Sequence, residues 1–295
     1  MFRAKSLIPG MYCWDNVRFT FDPYTPEIVF VPTGRYYGMD FIDSYPDMKI
    51  IASNTTGDQH IDTAYCKDKD IEVITLKGDP VLEQITAVAE LTIGLIIMLT
   101  RNVIPAVRSV RDGKWDRYPF GGRKMLKNMN IGIFGCGRIG MHVYRRILHS
   151  YCLLYDRKPI GENRTSRYWT LAESDIVTVH ITLEGNERLF NKGMFERFKD
   201  GAYFINTSRG EIVDEDALLW ALESGKLAGA ATDVLSGEFD DGFDVTKNRL
   251  WQYAQVHDNL IITPHIGGST EDAWEVTQEA IMKKAYDAAK NRRSS

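Results

Sequence analysis

The sequence predicts an α/β protein with a parallel, doubly wound sheet, and three observations carry that prediction. Short apolar runs alternate with helical stretches from Ile28 to Thr263. A glycine-rich segment, Gly135-Cys136-Gly137-Arg138-Ile139-Gly140, lies between the strand-like Asn130–Phe134 and the apolar helix Met141–Leu148. The next apolar run, Tyr151–Tyr155, ends in an acid, Asp156.

In chain order, Ile28–Val31 and Lys49–Ala52 are short strand-like runs separated by Gly34-Arg35-Tyr36-Tyr37-Gly38. A helical Ile61–Lys69 precedes a third run, Ile71–Leu76. From Thr86 to Thr100 the pattern is continuously apolar and helical, and Asn102 to Trp115 predicts an exposed helix ending near Gly113. After the glycine segment come strands at Asp175–Val179, Ala202–Ile205, Gly229–Val234 and Leu260–Thr263, with helices at Lys192–Phe198 and Asp214–Ser224. A last helix, about Thr270–Lys290, carries Ala273, Val276, Ala280 and Ile281 near helical spacing, so one face is expected to be buried.

With 295 residues, the chain is long enough for two domains at roughly 150 residues each. The expected division is 1–100 plus 271–295 against 101–270. Hydrophobic residues make up 44% and charged residues 26%, the balance of a soluble globular protein. A net charge of −4 argues against a nucleic-acid footprint or a polybasic membrane anchor. Leu91–Leu99 is far shorter than the roughly 20 residues of a membrane span, and it reads as a buried helix. Cysteines 13, 66, 136 and 152 lack metal-type spacing, so no metal site is expected. Met1–Gly10 carries charge and proline where a secretory leader needs an apolar run, so a reducing cytoplasm is the expected compartment.

The glycine segment reads as a dinucleotide-binding turn. Gly135 allows a tight strand-to-helix turn, Gly137 lets backbone N–H groups approach a pyrophosphate, and Gly140 lets the helix pack closely on its strand. The anion then meets a helix N-terminus. Asp156 suits ribose hydroxyls and repels a 2′-phosphate, which favours NAD over NADP; Arg157 beside it weakens that preference.

Arg209, in Asn206-Thr207-Ser208-Arg209-Gly210, follows a strand on the side where ligands bind open α/β sheets. Its guanidinium can grip a carboxylate through two parallel hydrogen bonds. Taken alone, it is equally a surface ion pair. His265, in Thr263-Pro264-His265-Ile266-Gly267-Gly268, could exchange a proton with a substrate hydroxyl, or be a hydrogen-bonded structural histidine. Glu238 follows the strand ending at Asp233-Val234; a bond to His265 would favour the imidazolium and fix its tautomer, while solvation is the plainer alternative.

The Gly135–Gly140 turn, Asn206–Gly210 leading into Glu211-Ile212-Val213-Asp214-Glu215, Ala231-Thr232-Asp233-Val234 with Glu238, and Thr263–Thr270 occur in an order that resembles the D-isomer-specific 2-hydroxyacid dehydrogenases. The similarity runs from about Ile28 to the C-terminal helix. It implies a Rossmann-type NAD domain and a smaller flavodoxin-like substrate domain, here shortened at its N-terminus because Met1–Pro26 lacks a clear opening βαβ unit. It implies Arg209 as carboxylate anchor, His265 as acid/base and Glu238 as its partner. It further implies cofactor contacts from Gly135, Gly137, Arg138, Ile139, Gly140, Asp156, His180, Thr207, Asp233 and Gly267. Asn54, Thr55, Thr56 and Gly57 match the loop whose backbone amides receive the substrate carboxylate, and Ala89-Glu90 matches the start of an interdomain helix, where Glu90 caps backbone rather than reacting.

The resemblance implies a small 2-hydroxy or 2-oxo acid as substrate, held between the two domains, and hydride exchange with NAD. It also implies a homodimer through the amphipathic Asn102–Gly113, with Val103, Ile104, Val107 and Val110 at helical spacing. The chain departs from the pattern at Thr182 and Phe239, where proline is usual, and at Ser53, where a basic residue is frequent. The span from Glu238 to Asn259 is long, with Asp240–Asp244 expected as a surface loop. Two alternatives stay open: an NAD(H)-sensing binding protein of corepressor type, and a relative oxidising another small anion such as formate or phosphite.

Overall fold

The structure, a computed structural model, describes residues 1–8, 11, 19–121, 124–147, 150–160 and 165–294. Cys13 and the expected helix end at Leu148 lie outside these residues. The chain divides into two compact units, Met1–Ile85 with Phe239–Phe243 and Ser269–Ser295, and Thr86–Glu238 with Asp244–Gly268.

The first unit holds strands β1 (Phe2–Ser6), β2 (Phe19–Phe21), β3 (Ile28–Phe30), β4 (Ile50–Ala52) and β5 (Glu72–Ile74) in the order β2-β1-β3-β4-β5, all parallel. That order is flavodoxin-like. Because alternate strand residues point to opposite faces, Ile28, Phe30, Ile50 and Ala52 meet Ile281, Met282, Ala285 and Ala289 of the C-terminal helix Glu271–Ser294. Val29, Val31 and Ile51 face Ile42 of α1 (Met39–Asp43) and Cys66 of α2 (Thr63–Asp68) on the other side. The C-terminal helix buries one face as expected, although Thr277 and Gln278 are buried there and Val276 and Ala280 only partly.

The fold adds to the sequence expectation at two places. Met1–Pro26 supplies β1 and β2, strands not apparent in the sequence alone. The boundary expected after residue 100 falls instead between Ile85 and Thr86. Helix α3 (Ala87–Thr100) sets Ala89, Leu95, Ile96 and Leu99 against Ile131, Ile133, Ile205 and Ala231 of the second unit's sheet. By length and composition alone, Pro80–Thr100 could cross a membrane. Here it is a 3-10 turn, Pro80–Gln84, followed by α3, which belongs to that core.

The second unit continues with α4 (Val103–Arg111), β6 (Asn130–Phe134), α5 (Arg138–Arg146), β7 (Tyr151–Tyr155), α6 (Arg167–Glu173), β8 (Ile176–Val179), α7 (Lys192–Phe195), β9 (Ala202–Asn206), α8 (Glu215–Glu223), β10 (Leu227–Thr232), α9 (Arg249–Ala254) and β11 (Leu260–Ile262). Helices α6 and α9 go beyond the sequence expectation, and α7 stops short of Phe198. The six strands form a parallel sheet ordered β11-β10-β9-β8-β6-β7. Both faces are covered, which is why β8 and β9 are buried at every position. The chain winds outward from β6 to β7, then returns to β8 and runs the other way. The reversal between β6 and β8 is the topological switch point where open α/β sheets bind ligands.

Candidate active site

Each strand of the second sheet ends in a residue that stands out in the sequence. From one edge to the other, the carboxyl ends lead to His265 after β11, Asp233 after β10, Thr207 and Arg209 after β9, His180 after β8, Gly135 after β6 and Asp156 after β7. Because all six strands are parallel, these residues share one edge of the sheet.

The glycine turn sits at the switch point. Gly135 has φ +93°, which side-chain-bearing residues rarely adopt, and its N–H donates to Tyr155 O at 2.8 Å. A Cβ there would fall 2.3 Å from His180 O. A Cβ on Gly140 would fall 1.9 Å from Gly135 O, so the helix rests directly on the turn. Gly137 is different: it opens α5 without a side-chain cap, and a Cβ on it would meet no protein atom within 4 Å. Arg138 and Ile139 form the first turn of the helix. Asp156 accepts the Cys136 N–H and the Lys158 N–H, each at 2.8 Å, which ties the acid to the glycine turn. Burial pushes the Cys136 thiol up to about 11, with Asp156 adding to the shift, so it stays a thiol at neutral pH.

At the other end of the edge, His265 Nδ1 lies 2.7 Å from Glu238 Oε1. A carboxylate can only accept, so Nδ1 carries the proton. The Glu238 side chain is 13% exposed and that of His265 30%, which shelters the acid and leaves the imidazole accessible. His265 is also one of four non-glycine residues with positive φ among the described residues, at +53°. Its N–H donates to Asp233 O (2.8 Å) and Thr263 O (3.0 Å), and these bonds offset backbone strain at a position where the imidazole must point outward.

Asp233 is buried, and its carboxylate is fully engaged. Oδ1 accepts the Thr263 hydroxyl (2.5 Å) and the Ile266 N–H (2.9 Å), while Oδ2 accepts the Gly267 N–H (2.7 Å). Burial pushes its carboxyl above the ordinary range against the pull of these bonds. The acid therefore binds the His265 loop to the end of β10. Arg209 is half-buried, and its guanidinium donates to Ser208 O at 2.7 Å. Asn206 braces the same turn, donating to Arg209 O (2.9 Å) and accepting the Ser208 N–H (3.0 Å).

A family model for the NAD-binding domain of D-isomer-specific 2-hydroxyacid dehydrogenases matches residues 93–267. The chain belongs to the D-isomer-specific 2-hydroxyacid dehydrogenases. Among its relatives, a D-specific alpha-keto acid dehydrogenase of Enterococcus faecium is 37% identical over 81% of this chain and 76% of its own length. A hydroxypyruvate reductase of Thermotoga maritima is 31% identical over 88% of this chain and 84% of its own. A D-lactate dehydrogenase of Aquifex aeolicus, solved with NAD and lactic acid, superposes with a TM-score of 0.80 at 25% identity, covering 98% of this chain and 96% of that one.

This dehydrogenase is thus an NAD-dependent oxidoreductase, and its own residues fit the cofactor. The space beside Gly137, the uncapped start of α5 and the acid ending β7 suit a pyrophosphate and a ribose. His180 Nδ1 is buried without a hydrogen-bond partner among the described residues, a donor or acceptor left over at the switch point. Its Nε2 pairs with Thr178 Oγ1 at 3.0 Å, and burial pulls its pKa down to about 3, so the ring is neutral at neutral pH. Thr207 Oγ1 lies 2.9 Å from Thr92 Oγ1. Thr92 is not among the residues expected from the sequence; a hydroxyl in the middle of the apolar α3 was the available signal.

Asn54, Thr55, Thr56 and Gly57 belong to the first unit, just beyond β4. Their loop is internally braced. The Thr55 hydroxyl donates to Gly57 O (2.7 Å), Asn54 donates to Thr277 Oγ1 (3.1 Å), and buried Ser53 pairs with His60 Nε2 (3.0 Å). Phe239 packs near the His60 ring at 6.0 Å. Two departures from the family pattern, Ser53 and Phe239, thus meet at one histidine. Glu90 accepts the Thr86 hydroxyl at 2.5 Å and lies 3.6 Å from Arg146, so its described partners are side chains rather than the backbone it was expected to cap. No cluster of three or more metal-ligating side chains occurs among the described residues.

Proposed function

We propose that this dehydrogenase interconverts a small D-2-hydroxy acid and its 2-oxo acid, with His265 as acid/base, Glu238 as its partner and Arg209 as the anchor of the substrate carboxylate. The observation that carries this reading is the 2.7 Å Glu238–His265 pair on the same sheet edge as the glycine turn. In reduction, His265 Nε2 gives its proton to the carbonyl oxygen and leaves a neutral ring still bonded to Glu238 through Nδ1. In oxidation, Nε2 takes the hydroxyl proton and Glu238 stabilises the imidazolium. Arg209 grips the carboxylate by two parallel N–H bonds and polarises the neighbouring carbonyl. NAD, when bound, supplies or takes up the hydride. The Gly135–Gly140 turn would hold its pyrophosphate and Asp156 its adenosine ribose, with the Asp156 charge disfavouring NADP.

The test is an NADH-oxidation screen over glyoxylate, hydroxypyruvate, pyruvate and phosphohydroxypyruvate. Turnover of at least one is expected. NADH binding with no turnover of any 2-oxo acid would overturn the reading in favour of a sensing protein.

We also propose a homodimer through α4. That helix buries no residue in its own unit, and Val107 (46%), Val110 (53%), Trp115 (92%) and Tyr118 (80%) are exposed along it and the segment that follows. Sedimentation at micromolar concentration should give twice the chain mass for the wild type and a monomer for Val107→Glu/Val110→Glu. A monomeric wild type would remove the proposal.

A further inference from the structure

The Glu238–His265 pair depends on a turn that does not hold itself. Leu235–Glu238 leaves β10 and closes only loosely, with Glu238 N–H on Leu235 O at 3.3 Å and Leu235 N–H on Glu238 Oε2 at 3.5 Å. Two other acids grip it by the backbone. Glu215, the first residue of α8, accepts the Ser236 N–H at 2.8 Å, and Glu211 accepts the Gly237 N–H at 3.1 Å. The far oxygen of Glu215 accepts the Asn248 side-chain amide at 2.7 Å. Asn248 is fixed in turn, because its own carbonyl oxygen caps α9 by accepting the Leu250 and Trp251 N–H groups. The backbone at Gly210, next to Arg209, lies against the same turn so closely that a Cβ there would fall 2.0 Å from the Leu235 carbonyl carbon.

We propose that Glu215, seconded by Glu211, is a positioning residue: its carboxylate clamps the Leu235–Glu238 turn between α8 and Asn248, and so sets the bearing from which Glu238 meets the His265 ring. This deepens the reading of His265 as acid/base and rests on it. The arrangement demands two acceptors on residue 215, one for Ser236 N–H and one for Asn248. A glutamine can satisfy only one of them, since Asn248 cannot turn its amide without giving up the α9 cap.

That requirement makes the test a swap. Glu215→Gln should lower kcat by about tenfold to a hundredfold, as for a misplacement on the order of 1 Å, with the KM for the oxo acid little changed. Asn248→Asp alone should do the same, because it opposes two carboxylates. The double variant Glu215→Gln/Asn248→Asp restores the bond in reverse. The new amide on α8 donates to the new carboxylate, whose other oxygen still caps α9, and kcat should return to within about threefold of wild type. If Glu215→Gln does not fold, the comparison of Asn248→Asp with the double variant carries the same test.

The second readout needs neither substrate nor turnover. ¹⁵N shifts of the His265 ring in the free protein report which nitrogen carries the proton, the signal being assigned by its loss in His265→Ala. The Nδ1–H form should dominate in wild type and in the double variant, and give way to mixed tautomers in each single variant. Unchanged ring shifts in the single variants, or single-variant losses that the double variant does not repair, would overturn the clamp. Native turnover in His265→Ala would instead overturn the acid/base reading and leave the ring-shift result standing.

Discussion

His265→Ala is expected to lower kcat for reduction of the preferred 2-oxo acid by about 10²–10⁴, with NADH affinity unchanged. The backbone sets the ring in place. A histidine at φ +53° is held there by bonds from its N–H to Asp233 O and Thr263 O, while Asp233's carboxylate secures the residues on either side. The ring can then present Nε2 outward while Nδ1 stays on Glu238. The other histidine on this edge cannot take over. His180 has its pKa pulled down to about 3 by burial, so its ring is neutral at neutral pH and does not serve as a general acid. Glu238→Gln should also lower kcat, because an amide in place of the carboxylate no longer fixes the ring as the Nδ1–H tautomer. Stopped-flow NADH oxidation checks both, alongside NADH fluorescence titration. A His265→Ala enzyme within a few fold of wild type would remove His265 from the chemistry.

How much of this was legible in the sequence follows from what kind of force built each part. The central strands of the second sheet are buried on both faces, so β8 and β9 appear as mostly apolar runs, and the residues that follow the strands stand out as polar punctuation. Strands β1 and β2 offer no such contrast. FRAKS alternates apolar with charged residues, and FTF is three residues long, so their place emerges only from pairing with β3 and with each other. Helix α3 was legible as a helix but not as a member of the second unit, because an almost wholly apolar helix has no polar face to say which sheet it covers. In the site, Glu238 and His265 are 27 residues apart, and their pairing followed from resemblance rather than from spacing. The roles of Asp233 and Glu215 were hidden for a different reason. An acid in a sequence does not reveal that its acceptors are filled by backbone N–H groups of a distant loop.

The two later glycines of the turn separate what the fold needs from what the cofactor needs. Gly140→Ala sets a Cβ 1.9 Å from Gly135 O, a backbone atom that cannot swing aside, so α5 must lift off the turn. Overpacking of this kind costs about 1–3 kcal/mol, a fall in Tm of several degrees for a unit of this size, and NADH binding should be lost with the geometry. Gly137→Ala introduces the same methyl group with the opposite expectation. Its φ of −73° suits any residue, and no protein atom lies within 4 Å of the new Cβ. Stability should therefore stay within about 0.5 kcal/mol of wild type, as for a surface substitution. The added methyl group would occupy space at the start of α5 that a pyrophosphate must approach closely. A weakening of NADH affinity by about tenfold or more, with an unchanged melting curve, is the expected outcome. Thermal melts with and without NADH distinguish the two variants, because wild type and Gly137→Ala should start from the same Tm and Gly137→Ala should gain less than wild type from the same NADH concentration. A Gly137→Ala protein that bound NADH as tightly as wild type would show that the open side of the turn does not face the pyrophosphate, whatever the other glycines do.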